Sequence, residues 1–336
     1  MIDHLQFPAR DNVAEKMEFL LRYAVLAPST HNTQPWLFKI TDSSCQIFLN
    51  PSLRLPEADP KGRDLYISIG CCLENLILAA KYFGMFERVE YRLTGNLAAE
   101  VFFHDSTGIH EAYEYLLSTI PKRINARGVF ESRGIDSKLV EQIQSFISTE
   151  YQFEPPIKLL FITNKEDIVQ LASLTAQGLR VAYTKSRFRK EMSHWIHNSL
   201  SRKLDGMPGY ALRMPLLLSF IIPSTIRFFN IGKFLGKLNY QSFSSAPLVC
   251  GFFCSEESER TWLFTGRAAE RIMLEYQSRG LQTSIFVASI EMGDLHKKVQ
   301  DVFQTNLRPQ FLFCIGYMAN IQRKTPKYSA KEKLIQ

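Results

Sequence analysis

The sequence has no apolar run long enough to cross a bilayer. Its longest, residues 214–223, covers ten positions and ends at Pro223, whereas a spanning helix needs roughly 18 or more. Residues 1–10 hold no stretch of the kind a secretion signal requires. Cysteine is scarce, six in 336 residues, and Cys71 and Cys72 are adjacent, a poor geometry for a disulfide. A reducing, cytoplasmic setting is therefore expected. Zinc spacing is absent: Cys250 and Cys254 lie on an apolar run with no histidine beside them, and His194 and His197 have no third ligand nearby, so no metal is expected. Acidic residues are outnumbered 33 to 40, for a net charge of +7. The surplus is scattered rather than gathered, which suits an anionic small molecule and argues against nucleic acid as a partner.

What is present, first, is material for a core. With 46% hydrophobic and 22% charged residues, the chain can bury a large interior, as one large domain or two ordinary ones. Residues 67–85 and 263–281 align without a gap at an offset of 196. Gly70 matches Gly266, Glu74 matches Glu270, Leu78 matches Leu274 and Gly84 matches Gly280, with apolar pairs between them at helical spacing. Each copy reads as a helix closed by glycine. One structural unit occurring twice would let the chain carry its own dimer partner, and a monomer would then suffice.

Around these helices the pattern predicts a helix over residues 12–26, strands at 36–40 and 45–50, and strands at 88–93 and 99–104. Helices follow at 110–120 and 136–147, the latter capped by Asp136. Strands at 157–162, 246–254 and 310–317 complete a mixed α+β chain, with Asn164 capping a long helix after the first of them. Residues 1–110 form a first half and 111–336 a second. The second carries an excess, about 187–243, that the first lacks. It begins with a polar helix over 187–203 and continues as an apolar, aromatic stretch. Such an insertion must lie on something: it is extra core, a lid over a ligand pocket, or a basic amphipathic element for a membrane surface using Arg213, Arg227, Lys233 and Lys237, the least favoured of the three.

Two local motifs carry chemistry. Between the first helix and first strand lies Ala27-Pro28-Ser29-Thr30-His31-Asn32-Thr33-Gln34-Pro35-Trp36. Its prolines stiffen both ends, and its hydroxyl and amide groups suit a flat, polar-edged heterocycle or a hydrogen-bonded surface turn. At the head of the second half, Arg123-Ile124-Asn125-Ala126-Arg127 sets two guanidinium groups four residues apart with a small polar residue between. That arrangement can grip a phosphate or an electron-rich ring edge, although exposed arginine pairs are common.

The first motif resembles the flavin-contacting turn of the nitroreductase superfamily. Leu55-Pro56, Asp59-Pro60, Gly62-Arg63, Ser68 and Gly70 extend the resemblance to its Acg-like branch. The second motif is similar to the superfamily's Arg-x-Ser-x-Arg or Lys sequence, with Asn125 in place of serine. The resemblance implies a nitroreductase-like fold of two tandem halves forming an intramolecular pseudo-dimer, with the insertion as a helical lid. In that family each FMN takes the arginine motif from one subunit and the turn from the other. This chain divides those parts between its halves, implying one composite FMN site and one degenerate one. The implied contacts are Pro28, Ser29, Thr30, Asn32 and Gln34 from the turn and Arg123, Asn125 and Arg127 from the second motif. Ser284 and Ile285 would pass the reactive ring edge, although the usual Glu-Gly is replaced by Phe286-Val287, and Arg323, Lys324 and Lys327 would meet the phosphate. No catalytic side chain is expected, because flavin carries the redox chemistry. The implied function is an oxidoreductase passing hydride from NAD(P)H through FMN to a small quinone or nitroaromatic acceptor. The alternative is a protein that binds and sequesters FMN with little turnover.

Overall fold

The computed structural model describes residues 2–105 and 108–335. The chain opens with helix α1 (Val13–Ala24), whose first turn is capped by the Asn12 side chain accepting from the Glu15 amide. Strands β1 (Trp36–Ile40) and β2 (Ser44–Leu49) lead to helix α2 (Arg63–Tyr82). Strands β3 (Phe86–Thr94) and β4 (Leu97–Phe103) follow, making an antiparallel sheet of order β1-β2-β4-β3. A short helix α3 (Glu114–Thr119) leads to α4 (Ser137–Glu150), which Asp136 caps, and then to β5 (Lys158–Ile162). The helix expected over 110–120 is thus broken into a short α segment between two 3-10 turns, because Pro121 removes a helical donor at its end.

After β5 come α5 (Lys165–Thr184), α6 (Ser186–Trp195), the two-residue strands β6 (Ile196–His197) and β7 (Met207–Pro208), α7 (Leu216–Phe228) and α8 (Gly232–Ser245). The second sheet continues with β8 (Leu248–Cys254), helix α9 (Glu259–Ser278) and β9 (Gln282–Ile285). It closes through α10 (Ala288–Glu291), α11 (Leu295–Val302) and β10 (Arg308–Gly316). Its order is β5-β8-β10-β9. Numbered along the chain within each sheet, both orders read first, second, fourth, third. Every residue of β8 is buried, as a strand covered on both faces requires.

Helices α2 and α9 pack against each other between the sheets. Each has 20 residues, and their bounds differ by the same 196 positions that align the sequences. Each is followed two residues later by a left-handed glycine, Gly84 at φ 66° and Gly280 at φ 82°. They cross at the matched glycines. A β-carbon on Gly70 would overlap the Leu263 carbonyl oxygen and lie 2.9 Å from Gly266 Cα; one on Gly266 would overlap the Ile67 carbonyl oxygen and lie 2.9 Å from Gly70 Cα. Residue pairs exchanged in this way are the pattern of a self-complementary two-fold contact. Helix α2 is long and apolar enough to cross a membrane, but 94% of that window is buried within the fold. It is the core helix.

Residues 317–335 leave β10 and return to the first sheet. Leu334 pairs in parallel with Phe38 on β1, and the Ile335 amide donates to the Phe38 carbonyl at 2.8 Å. This strand-like contact covers an otherwise open sheet edge.

Candidate functional site

The turn after α1 and the arginine motif meet beside the C-terminal end of α1. Arg123 leaves a 3-10 turn with its side chain buried. Its Nε lies 3.1 Å from Glu270 Oε1 on α9, and one terminal nitrogen donates to the Leu26 carbonyl at 3.3 Å. Lys327, on the returning segment, donates to the Ala27 carbonyl at 2.6 Å. Burial and then the charge of Arg123 push its ammonium down to about 7, with Glu270 opposing. Lys324 is lowered by desolvation and by Arg123 and Lys122. Burial raises Glu270 to about 7 against the pull of Arg123. Lys327 and the exposed Lys324 thus each sit close enough to Arg123 to be lowered by its charge, with Glu270 as the acid that faces Arg123. An anion carrying two charges would relieve that repulsion.

Arg127 lies on the other side of the motif. Its guanidinium is lowered by desolvation, has no carboxylate partner among the described residues, and reaches Met207 Sδ at 3.8 Å. It influences His31, whose imidazole burial pushes down to about 4 and whose Nε2 is buried without a hydrogen-bond partner. His31, neutral near pH 7, thus sits between the Asp64 carboxylate and the Arg127 guanidinium with one polar atom unspent. Asn125 is used structurally: its Oδ1 accepts from the Ile285 amide at 2.9 Å, and its own carbonyl accepts from Gln322. Ser284 is buried in β9 opposite Cys314. Arg323 is exposed and stacks over the Tyr210 ring at 4.5 Å, toward the insertion rather than the other cations.

The amides of the turn are used differently from the expectation that they face a ligand. Asn32 Nδ2 donates to the carbonyls of Leu204, Gly206 and Pro326 at 3.0–3.3 Å. Gln34 Nε2 donates to Leu204 O at 2.7 Å, and its Oε1 accepts from the Tyr328 amide. Ser29 Oγ accepts from the Gln34 amide, and Thr30 Oγ1 donates to Asp64 Oδ2. Pro28 is half-buried at the start of the turn. Asn32, His31 and Gln34 all hold positive φ, between 52° and 58°, so the backbone is bent to aim these amides at the insertion and the returning segment. Asn32→Asp would set a carboxylate against three carbonyl oxygens. We expect it to cost about 2 kcal/mol or more in stability, read as a lower melting temperature, because three buried carbonyls lose their donor and face an unpaired charge instead.

Sequence reasoning missed Glu270, Asp64, Gln322 and Lys333, whose Nζ donates to the Gln34 carbonyl at 2.7 Å. Glu270 was signalled: it is one of two acids matched between the repeated helices, and both are buried. Its counterpart Glu74 pairs with Arg267 Nε at 3.0 Å. No group of His, Cys, Asp or Glu among the described residues could hold a metal ion.

Fold and site together describe an α+β protein with two four-stranded sheets and a group of cationic side chains gathered around Arg123 near the end of α1. No family model matches the chain. Over 71 residues it is 39% identical to "Putative NAD(P)H nitroreductase Rv3131" of Mycobacterium tuberculosis, a segment that is 21% of this chain and 21% of that protein. The match thus spans about a fifth of the relative's length. Among solved structures, it is similar to the FMN and NADPH-dependent nitroreductase NfnB of sphigopyxis sp. strain HMH, at 15% identity and a TM-score of 0.43 over 65% of this chain and 96% of the other. It is also similar to NfnB of Mycobacterium smegmatis in complex with NADPH, at 14% identity and a TM-score of 0.44 over 66% and 96%.

Proposed function

We propose that this chain is an FMN-dependent NAD(P)H oxidoreductase of the nitroreductase type, from the Acg-like branch, working in a reducing cytoplasm on a small quinone or nitroaromatic acceptor. In this reading residues 1–110 and 111–336 stand for the two subunits of a dimer. The shared strand order and the equal, glycine-crossed helices support it. The observation that carries the function is the placing of Lys327 and buried Arg123 beside Glu270 and the turn at Ala27, with the exposed Lys324 near Arg123.

These three side chains would hold the FMN phosphate. Arg127 would stabilise negative charge on the ring, and Asn125 would hold the backbone at Ile285 in line. Ser29 and Thr30 would lie beside the flavin. Bound flavin supplies the two-electron chemistry. The protein's share is to bind and orient it and to set the charge around it. The purified chain should show flavin absorbance that bleaches with NAD(P)H and returns with a quinone. A colourless protein that does not take up added FMN would defeat the reading.

Proton linkage offers a sharper test. Lys327, depressed to about 7 when no anion is present, must be protonated to hold a phosphate well. Affinity should therefore be greatest below pH 7 and fall as pH rises above it. Lys327→Met should weaken binding and flatten that dependence, measured by flavin fluorescence titration.

A second reading is favoured by the ties from Asn32 and Gln34 to residues 204–206 and 326–328, which strap the turn from the outside. A strapped site would bind FMN and withhold it. Flavin that stays oxidised in excess NADPH would favour this reading.

A further inference from the structure

An apolar insertion is expected to lie on the body of the protein, and only part of this one does. Helix α8 is clamped on α5 by two glycines: a β-carbon on Gly232 would lie 2.8 Å from Tyr183 Cβ, and one on Gly236 3.0 Å from the Ala176 carbonyl oxygen. Helix α7 turns Ser219 and Ile226 inward. The opposite face of the hairpin is uncovered. Leu217 is 81% exposed, Phe228 69% and Phe234 60%, and Phe220, Ile221 and Leu238 are exposed as well. Soluble monomers rarely leave so many large apolar side chains exposed along one short segment without a partner.

Charge identifies the partner. Between Asp205 and Glu256 the chain has no acidic residue. Arg227, Lys233 and Lys237 are exposed on the hairpin, and the two lysines form a row one position ahead of the apolar row of Phe234 and Leu238 along α8. Arg213 is not part of this face, since it turns inward to the Arg127 carbonyl at 2.7 Å. Apolar side chains flanked by cations, with no carboxylate among them, are the composition of a helix lying in a lipid interface. A second copy fits less well, because a self-complementary contact would set like charges together.

We propose that the outer face of the α7–α8 hairpin docks this protein on an anionic bilayer surface, with Leu217, Phe228 and Phe234 entering the headgroup boundary and Lys233 and Lys237 meeting lipid phosphates. The docking does not depend on flavin.

The test is sedimentation of the purified full chain with vesicles of phosphatidylcholine alone and of phosphatidylcholine mixed with phosphatidylglycerol, with light scattering in parallel. The chain should pellet with the mixed vesicles, far less with the neutral ones, and less as salt is raised. Leu217→Glu combined with Phe228→Glu should abolish binding, and Lys233→Glu with Lys237→Glu should weaken it about tenfold or more. All four positions are exposed, and melting curves would confirm that the variants fold. Failure to pellet with the anionic vesicles overturns the proposal. Pelleting that survives both double substitutions does the same. So does a dimer in solution that the apolar substitutions disperse, since it would assign the face to a second copy.

Discussion

Gly70→Ala should cost about 3 kcal/mol or more and lower the melting temperature by on the order of 5–10 °C. The added methyl meets the carbonyl oxygen of Leu263 and the backbone of Gly266, neither of which can rotate away as a side chain could. The helices must part, and with them the two halves. Gly266→Ala should cost a similar amount, because its methyl meets the Ile67 carbonyl in the mirrored arrangement. The double substitution should cost clearly less than the sum of the two, since one separation relieves both overlaps. Gly280→Ala is the control: its φ of 82° disfavours alanine but nothing lies within 4 Å, so about 1 kcal/mol is expected. A Gly70→Ala protein that melts within a degree of the parent would contradict the crossing.

Arg123→Leu should weaken FMN binding about 100-fold or more and destabilise the protein by about 3–5 kcal/mol, for separable reasons. The affinity falls because a buried guanidinium no longer meets the phosphate. The stability falls because Glu270 is left buried without its cation. Glu270 is already raised to about 7, so its contribution to stability is present below the ordinary carboxylate range and is lost as pH rises through 7. Without Arg123 that value moves higher still, and the variant should lose more stability at pH 8 than at pH 6. Arg123→Leu with Glu270→Gln should recover most of the stability and little of the flavin affinity. If flavin affinity returned together with stability, Arg123 would be a structural residue only.

Much of this fold could be read before any coordinates. Strand β1 spans the expected residues, and β2, β5, β8 and β10 begin and end within two residues of expectation, because short apolar runs bounded by turn and cap residues are local signals. The helix expected over 187–203 stops at Trp195, where Ile196 and His197 pair with Met207 and Pro208; a pairing across ten residues leaves no trace in local periodicity. The site was legible in residue type and not in direction. Arg123 and Lys327 donate to the carbonyls of Leu26 and Ala27, just before the turn. Asn32 and Gln34, whose amides suit a heterocycle equally well, are aimed by positive φ at carbonyls some 170 and 290 residues away. Nothing in a ten-residue motif encodes those partners. The outward face of α7 was equally hidden, since apolar content alone does not say which side is covered.

The segment after β10 supplies Lys324 and Lys327 to the proposed site and seals the edge of β1 through Leu334. Because a ribosome makes these residues after everything they touch, the front sheet must wait with its border strand bare until synthesis has passed residue 335. Nascent chains arrested before Gln322 should therefore leave the edge of β1 uncovered and lack both lysines.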